Sequence, residues 1–157
     1  MGQNISLIIT KNIEIKVPHE IPHLIRNGLL IIALAKDEFS YFVVKVLKSC
    51  KTNLSDYIEG NSFVRLVRKI ELDTFLAYHE SDWGLLADEI YFAVVDGEII
   101  IESIESFKIE ESGDPFISIP EEKMDPRDIL EIDWSNMDYY HSYYDFKKIY
   151  NQENNLI

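Results

Sequence analysis

Short hydrophobic segments separated by polar or turn-forming residues run through most of the chain, a pattern typical of β-strands. Leu29–Ala35 is apolar at both alternating positions, which predicts a strand covered on both faces, and a turn at 36–38 joins it to a second strand, Phe39–Leu47. Ile13–Val17 alternates apolar and charged residues, so we expect a half-buried strand that forms a hairpin or a kinked strand with Ile5–Thr10. Further strands are expected over Ile90–Val95, over Glu98–Ile104 with an extension toward Phe107 and Ile109, and over Phe116–Ile119.

Asp96-Gly97 is the clearest turn signal in the chain. It separates two apolar segments by two residues that tolerate the positive φ angles of a type I′ turn. The sequence therefore predicts a β-hairpin centred on this dipeptide.

Three segments carry helical signals. Hydrophobic residues between 63 and 70 recur at spacings of three and four, which predicts an amphipathic helix beginning near Asn61 or Ser62. Asp125-Pro126-Arg127 combines an N-cap residue with proline at the first helical position, which predicts a short helix through Ile132. Ser135 or Asn136 is expected to cap a final helix from Met137 to about Asn151.

These elements predict an α+β domain with an antiparallel or mixed sheet of about five to seven strands, an internal helix and a C-terminal helix on one face. We expect a single globular domain over residues 1–151 and a frayed tail over 152–157. The hydrophobic content of 46% is too high for a disordered acidic chain.

The single cysteine, Cys50, excludes an internal disulfide and favours a cytoplasmic location. The longest apolar run, Leu29–Ala35, is far shorter than the roughly 20 residues that span a bilayer, so no membrane association is expected. The start Met1-Gly2-Gln3-Asn4-Ile5-Ser6 matches a loose myristoylation pattern, and it equally fits the approach to a first strand.

Charge is divided unevenly along the chain. Residues 1–70 contain ten Lys or Arg and six Asp or Glu, a net charge of +4. Residues 71–157 contain five basic and twenty-two acidic residues, a net charge of −17, which gives the whole chain −13. Such asymmetry adds self-repulsion to the compact state, so it favours a function in binding a partner.

His19-Glu20-Ile21-Pro22-His23 spells H-E-x-x-H, which on a helix binds zinc in metalloproteases. Pro22 removes a backbone donor and clashes within a helix interior, so we expect a Pro-bounded turn and no metal site. Cys50 and His79 are the residue types of a nucleophile and base, although a single cysteine after a strand is more often a small buried hydrophobe.

Carboxylates are so abundant that pairs of them do not indicate a glycosidase or a calcium site. No Gly-rich phosphate loop, G-x-S-x-G or C-x-x-C motif is present. The sequence therefore predicts no catalytic, cofactor-binding or metal residues, and we expect a protein that is not an enzyme.

Two segments combine aromatic and acidic residues. Trp83 is surrounded by Glu80, Asp82, Asp88 and Glu89, which favours a buried indole ringed by carboxylates at a partner interface; alternatively, Trp83 closes one end of the core above a solvated acidic rim. The C-terminal segment has more rings than one helix face can bury, so some are expected to contact a partner, with core packing as the alternative. Its candidate partner-binding residues are Asp133, Asp138, Tyr139, Tyr140 and Tyr143.

A compact, strongly acidic chain with such segments, Glu80–Glu89 and Asp133–Tyr144, resembles the immunity proteins that neutralise bacterial polymorphic or contact-dependent toxins. The resemblance implies a cytoplasmic inhibitor that binds a cognate, basic toxin domain, for example a nuclease, and occludes its active site or an adjacent surface. Direct nucleic acid binding is not expected, because the acids would repel phosphates. The alternatives are a nucleic-acid-mimicking or host-directed inhibitor, such as a viral anti-defence protein, and a small carboxylate-dependent enzyme.

Overall fold

The computed structural model describes residues 4–35, 38–49, 51–81, 89–100, 108–109, 117–118, 126–133 and 142–155. In these residues a six-stranded sheet is formed by β1 (Asn4–Thr10), β2 (His23–Arg26), β3 (Leu29–Leu34), β4 (Phe75–Ser81), β5 (Glu89–Val95) and β6 (Glu98–Ile99). Every neighbouring pair is antiparallel, and the strand order is β2-β3-β1-β4-β5-β6. A separate pair joins β7 (Lys108–Ile109) to β8 (Ile117–Ser118). The α+β fold class and the antiparallel sheet are therefore confirmed.

Two tight hairpins have Asp-Gly or Asn-Gly as the two central residues of their turns. Asp96 and Gly97 have φ angles of 51° and 78°, which confirms the type I′ turn expected between β5 and β6. Asn27 and Gly28 have φ angles of 52° and 74° and join β2 to β3 in the same way. No strand is predicted for residues 18–27, so the edge strand β2 was not expected from the sequence.

The predicted strand Phe39–Leu47 is wrong, because this segment lies in a helix, α1 (Glu38–Ser49). Phe39, Phe42, Val43 and Val46 are all fully buried, and their spacing of three, four and seven residues is that of one helix face. The β-branched residues of this segment favour a strand by propensity. The segment is nevertheless helical, because these four residues are buried together on one helix face. The predicted strand Ile13–Val17 is also wrong; it lies in the irregular link between β1 and β2, and Ile13 is 45% exposed.

The predicted internal helix is confirmed as α2 (Ser62–Lys69). It begins where Asn61 accepts a hydrogen bond on Oδ1 from the Val64 amide at 3.1 Å, and Asn61 itself is buried. A 3₁₀ turn, Leu54–Tyr57, links it to α1. The ring of Phe63 on α2 contacts Phe39, Phe42, Phe75 and Phe92, so both helices pack on the sheet face that carries Phe75 and Phe92.

The opposite face of the sheet is covered as well. Tyr91 neighbours Phe92 along β5 and so points to the other side, where its ring lies 5.0 Å from that of Tyr78. The guanidinium of Arg127, on α3 (Pro126–Ile129), lies 5.0 Å from the Tyr91 ring centroid. Proline opens this helix as predicted, but the helix ends at Ile129, before the expected Ile132.

The C-terminal helix, α4 (Tyr143–Glu153), begins later than predicted. Ser142 has an extended backbone, with φ of −155°, and its hydroxyl caps the helix by accepting from the Asp145 amide at 3.2 Å. One continuous helix from Met137 is therefore wrong. The helix continues past Asn151 to Glu153, whose carboxylate pairs with Arg26 at 2.6 Å and ties the helix to the edge strand.

In the described part of the chain, no helix combines the length and apolar character that a membrane crossing requires.

Candidate functional site

The predicted Trp83 patch is described only at its borders. Glu80 on β4 and Glu89 on β5 are direct partners in the sheet register, so both lie at the same end of the sheet. Asp82, Trp83 and Asp88 lie in residues 82–88, outside the described residues. The contact between the indole and its surrounding acids stays a prediction.

The candidate residues near the C-terminus are not all brought to that patch. Asp133 is exposed and lies beside Gly28 and Leu29, at the opposite end of the sheet from Glu80. The seven residues of β4 separate the two ends by roughly 20 Å. Tyr143 is half-buried at the start of α4, while Asp138, Tyr139 and Tyr140 lie outside the described residues. Burial, with a contribution from Tyr144, raises the pKa of Tyr143, so its hydroxyl stays protonated at neutral pH.

The H-E-x-x-H segment forms the expected turn, and its last residue, His23, begins the unpredicted strand β2. His19 and Glu20 are exposed, whereas His23 donates from Nδ1 to the Ile21 carbonyl at 2.8 Å. The Tyr150 hydroxyl donates to the His19 carbonyl at 2.7 Å, and the His23 and Tyr150 rings are 5.0 Å apart. The segment thus anchors α4. Among the described residues, no group of three His, Cys, Asp or Glu side chains is placed to hold a metal ion.

His79 contacts a serine in the sheet. Its Nδ1 atom lies 2.8 Å from the Ser6 hydroxyl on the neighbouring strand β1, and both residues are 2% exposed. Cys50 lies outside the described residues. The Ser6–His79 pair is a buried polar link between the two central strands, closed to solvent.

The other end of the sheet presents exposed carboxylates from three separate segments. They are Glu71 and Asp73 before β4, Asp96 and Glu98 at the β5–β6 turn, and Glu131 and Asp133 after α3. We call these six residues the acidic end. Only Asp133 among them was a candidate from the sequence, because it is the strand order that brings the three segments to the same end of the sheet.

Hydrogen bonds hold two of the three segments of the acidic end together. The Gly97 amide donates to the Asp73 carbonyl at 2.8 Å, and the Asp96 amide donates to the Thr74 hydroxyl at 3.0 Å. The Thr10 hydroxyl donates to the Thr74 carbonyl at 3.1 Å, which links β1 to the same turn. The carboxylates at 71–73 and 96–98 therefore project from a preorganised backbone.

Glu71 and Glu131 occupy backbone conformations that favour glycine. Their φ angles are 57° and 54°, and each follows the end of a helix. After α2, the Glu71 amide donates to the Arg68 carbonyl and the Leu72 amide to the Val67 carbonyl. After α3, Glu131 and Ile132 donate to Asp128 and Arg127 in the same pattern. Both are Schellman motifs with glutamate at the left-handed position, where glycine is usual.

Replacing Glu71 or Glu131 by glycine is expected to raise the free energy of unfolding by about 0.5–1 kcal/mol each, because glycine removes the cost of the left-handed conformation. Urea denaturation of the single variants measures this. Glu98→Gly is the control and should destabilise the protein, since Glu98 lies in a strand without a positive φ. Equal stabilisation by Glu71→Ala would contradict the explanation, because alanine keeps the steric cost.

A cleft of about 280 Å³ opens at the acidic end, where β1 finishes and β4 begins. Its floor is apolar, and Lys11, Glu71 and Asp73 lie at its rim. Two further cavities adjoin it: one of about 350 Å³ beside Glu131 and Asp133, and one of about 410 Å³ that shares the 71–73 segment. We call the cleft of about 280 Å³ the central cleft.

The outer surface of α1 and α2 has the opposite charge. Lys45, Lys48, Arg65, Arg68 and Lys69 are exposed on the two helices, and Lys51 is exposed just after α1. In the described part of the chain, the two ion pairs are Lys11–Glu131 and Arg26–Glu153, and neither involves these six cations. The sequence asymmetry is thus also a spatial one, with a basic helical face and an acidic end.

Searches against protein-family models, curated proteins and solved structures found no match to this chain.

Proposed function

We propose that this protein is an immunity-type inhibitor that binds a cognate, basic protein toxin and neutralises it by covering its active site or an adjacent surface. The acidic end is the part of the described surface that supports this proposal best. The segment around Trp83 stays a second predicted contact region.

The observation that carries the proposal is the convergence of six exposed carboxylates from three segments, two of which are fixed by backbone hydrogen bonds. Preorganised charges lose little conformational entropy on binding, so more of their interaction energy appears as affinity. Exposed carboxylates also steer a basic partner into encounter. An occluding inhibitor benefits from both effects, because it must bind before the toxin acts.

The proposal is tested by capturing partners from the lysate of the source organism, identifying them, and assaying each with and without this protein. The test variant combines Glu71→Gln, Asp73→Asn and Glu131→Gln. The control variant combines Glu20→Gln, Glu59→Gln and Asp145→Asn, which removes the same charge from exposed residues outside the acidic end. Trp83→Ala tests the second contact region separately.

We expect a basic toxin whose activity is inhibited and whose association rate falls about tenfold or more in the test variant at low salt, with a much smaller change in the control. The difference should shrink at high salt, because exposed charges are screened. A partner that keeps full activity when bound would overturn inhibition. Equal rates for the two variants would remove the acidic end from the interface, and capture of a host nucleic-acid-binding protein would favour the mimicry alternative.

A further inference from the structure

Resting on the proposed function, we propose that the central cleft receives one lysine or arginine side chain of the partner protein. The cleft would act as the anchoring pocket of the interface, and the surrounding acidic end would supply the long-range attraction. This assigns a specific ligand chemistry to a cavity in the described fold.

The cleft is small, with a volume of about 280 Å³ at the lower limit of the roughly 300–1,000 Å³ of pockets that bind drug-sized molecules. It therefore has room for one long side chain of a partner. Its floor is formed by apolar side chains from β1, β4, the turn before β4 and the segment after α3. These residues are Ile9, Leu72, Phe75, Leu130 and Ile132.

The cleft is apolar at its floor and charged at its rim. A long cationic side chain has the same arrangement, with an aliphatic stem and a charged end. Lysine and arginine bury an aliphatic stem against apolar surface while their charged group stays near water. Here the stem would lie on the floor and the charge would lie at the rim, beside the Glu71 and Asp73 carboxylates. A short or anionic side chain would lose one of these two contacts.

Lys11 also lies at the rim, and its charge would oppose a cationic occupant. The Lys11 ammonium is 4.0 Å from the Glu131 carboxylate, on the side of the cleft next to the neighbouring cavity. Both side chains are largely exposed, so solvent weakens the repulsion that an entering cation would meet. Glu71 and Asp73 carry two negative charges against the one positive charge of Lys11, so the charged residues lining the cleft are net negative. Arg68 is a further cation that lines the third cavity, which shares the 71–73 segment.

The direct test uses a probe peptide, acetylated and amidated tetra-arginine, and a control peptide in which neutral citrulline replaces every arginine. We expect the arginine peptide to shift backbone amide resonances at 9–12, 71–75 and 130–132 in a two-dimensional NMR titration, while the citrulline peptide shifts them little. Shifts of equal size around Glu20 and Glu59, outside the acidic end, would show unspecific attraction and overturn the proposal. Concentration-dependent shifts at the cleft without peptide would identify a second copy of the chain as the occupant and would also overturn it.

A cleft-filling variant, Leu130→Trp, separates this proposal from the proposed function. Leu130 is partly buried in the floor, so a larger ring would occupy the cavity and leave every carboxylate in place. The thermal melting transition and the NMR spectrum check that the variant is folded, and Leu130→Phe is the milder replacement if it is not. We expect the arginine peptide to bind at least about tenfold more weakly and the captured partner to dissociate about tenfold faster.

The two experiments give distinguishable results. If the cleft-filled variant keeps the partner with an unchanged dissociation rate, while the charge-neutralised variant loses it, the cleft proposal fails and the proposed function stands. If the captured partner keeps full activity when bound, but Leu130→Trp weakens the binding of both the arginine peptide and that partner, inhibition fails and the cleft proposal stands.

Discussion

Replacing Phe63 by alanine is expected to lower the free energy of unfolding by about 3–5 kcal/mol, the range for truncating a buried phenylalanine. Phe63 is 1% exposed, and its ring centroid lies 4.4 Å from that of Phe39 and 5.2 Å from that of Phe42. It also contacts Phe75 and Phe92 on the sheet, at 6.0 and 6.3 Å. The variant therefore loses buried area, edge-to-face contacts and the packing of both helices on the sheet.

Urea or guanidinium denaturation, followed by circular dichroism, measures this change. Tyr41→Ala is the matched control, because Tyr41 is an aromatic residue on α1 that is 57% exposed, and its loss should cost less than about 0.5 kcal/mol. A loss below about 1.5 kcal/mol for Phe63→Ala would contradict the central role of this ring cluster.

The same rings show where the hydrophobic pattern was sufficient to predict a helix and where it was not. In α2, the stripe from Phe63 to Ile70 follows a polar N-cap and excludes a strand, so the helix could be predicted from sequence. In α1, the segment after Leu34 is rich in valine, phenylalanine and tyrosine, all of which also favour strands. Only the packing of Phe39 and Phe42 against Phe63 and Phe92 decides in favour of the helix.

Two strands were not predicted from the sequence. β2 has only four residues and begins directly after a proline, so its pairing with β3 outweighs a weak propensity. β4 opens with the apolar residues Phe75–Tyr78 but continues with His79 and Glu80 into an acidic segment, and it pairs with both β1 and β5. In both cases non-local hydrogen bonding sets the structure.

The sequence indicated that the candidate site is acidic, but it did not indicate where in the fold the acidic residues lie. Net charge indicated an acidic surface, and Asp133, chosen from the sequence as a partner-binding residue, is exposed in the structure; its role in binding stays a prediction. Glu71, Asp96 and Glu131 were not chosen, because their proximity follows from a strand order in which β1 lies between β3 and β4. One sequence feature could have indicated the site. These acids lie just after helices or in tight turns next to strands, and such positions lie near one another when the turns share one end of a sheet.

The buried Ser6–His79 pair leads to the second large expected effect. His79→Ala should lower the free energy of unfolding by about 2–4 kcal/mol, because it leaves a cavity and removes the partner of the Ser6 hydroxyl in the core. Ser6→Ala should cost about 1–3 kcal/mol, since His79 Nδ1 then loses its contact at 2.8 Å. Each substitution leaves one buried polar atom of this contact without its partner. The two losses of stability therefore share a cause and should not be additive.

A double-mutant cycle with Ser6→Ala, His79→Ala and the combined variant measures this coupling by urea denaturation. We expect the double variant to be about 1–2 kcal/mol more stable than the sum of the single losses predicts, because no unpaired partner then remains from this contact. Thr10→Ala combined with His79→Ala is the control, since Thr10 on the same strand bonds to the Thr74 carbonyl instead and should be additive within about 0.5 kcal/mol. Additive losses for Ser6 and His79 would mean that the contact between them contributes little to stability, and that the cost of His79→Ala has other causes.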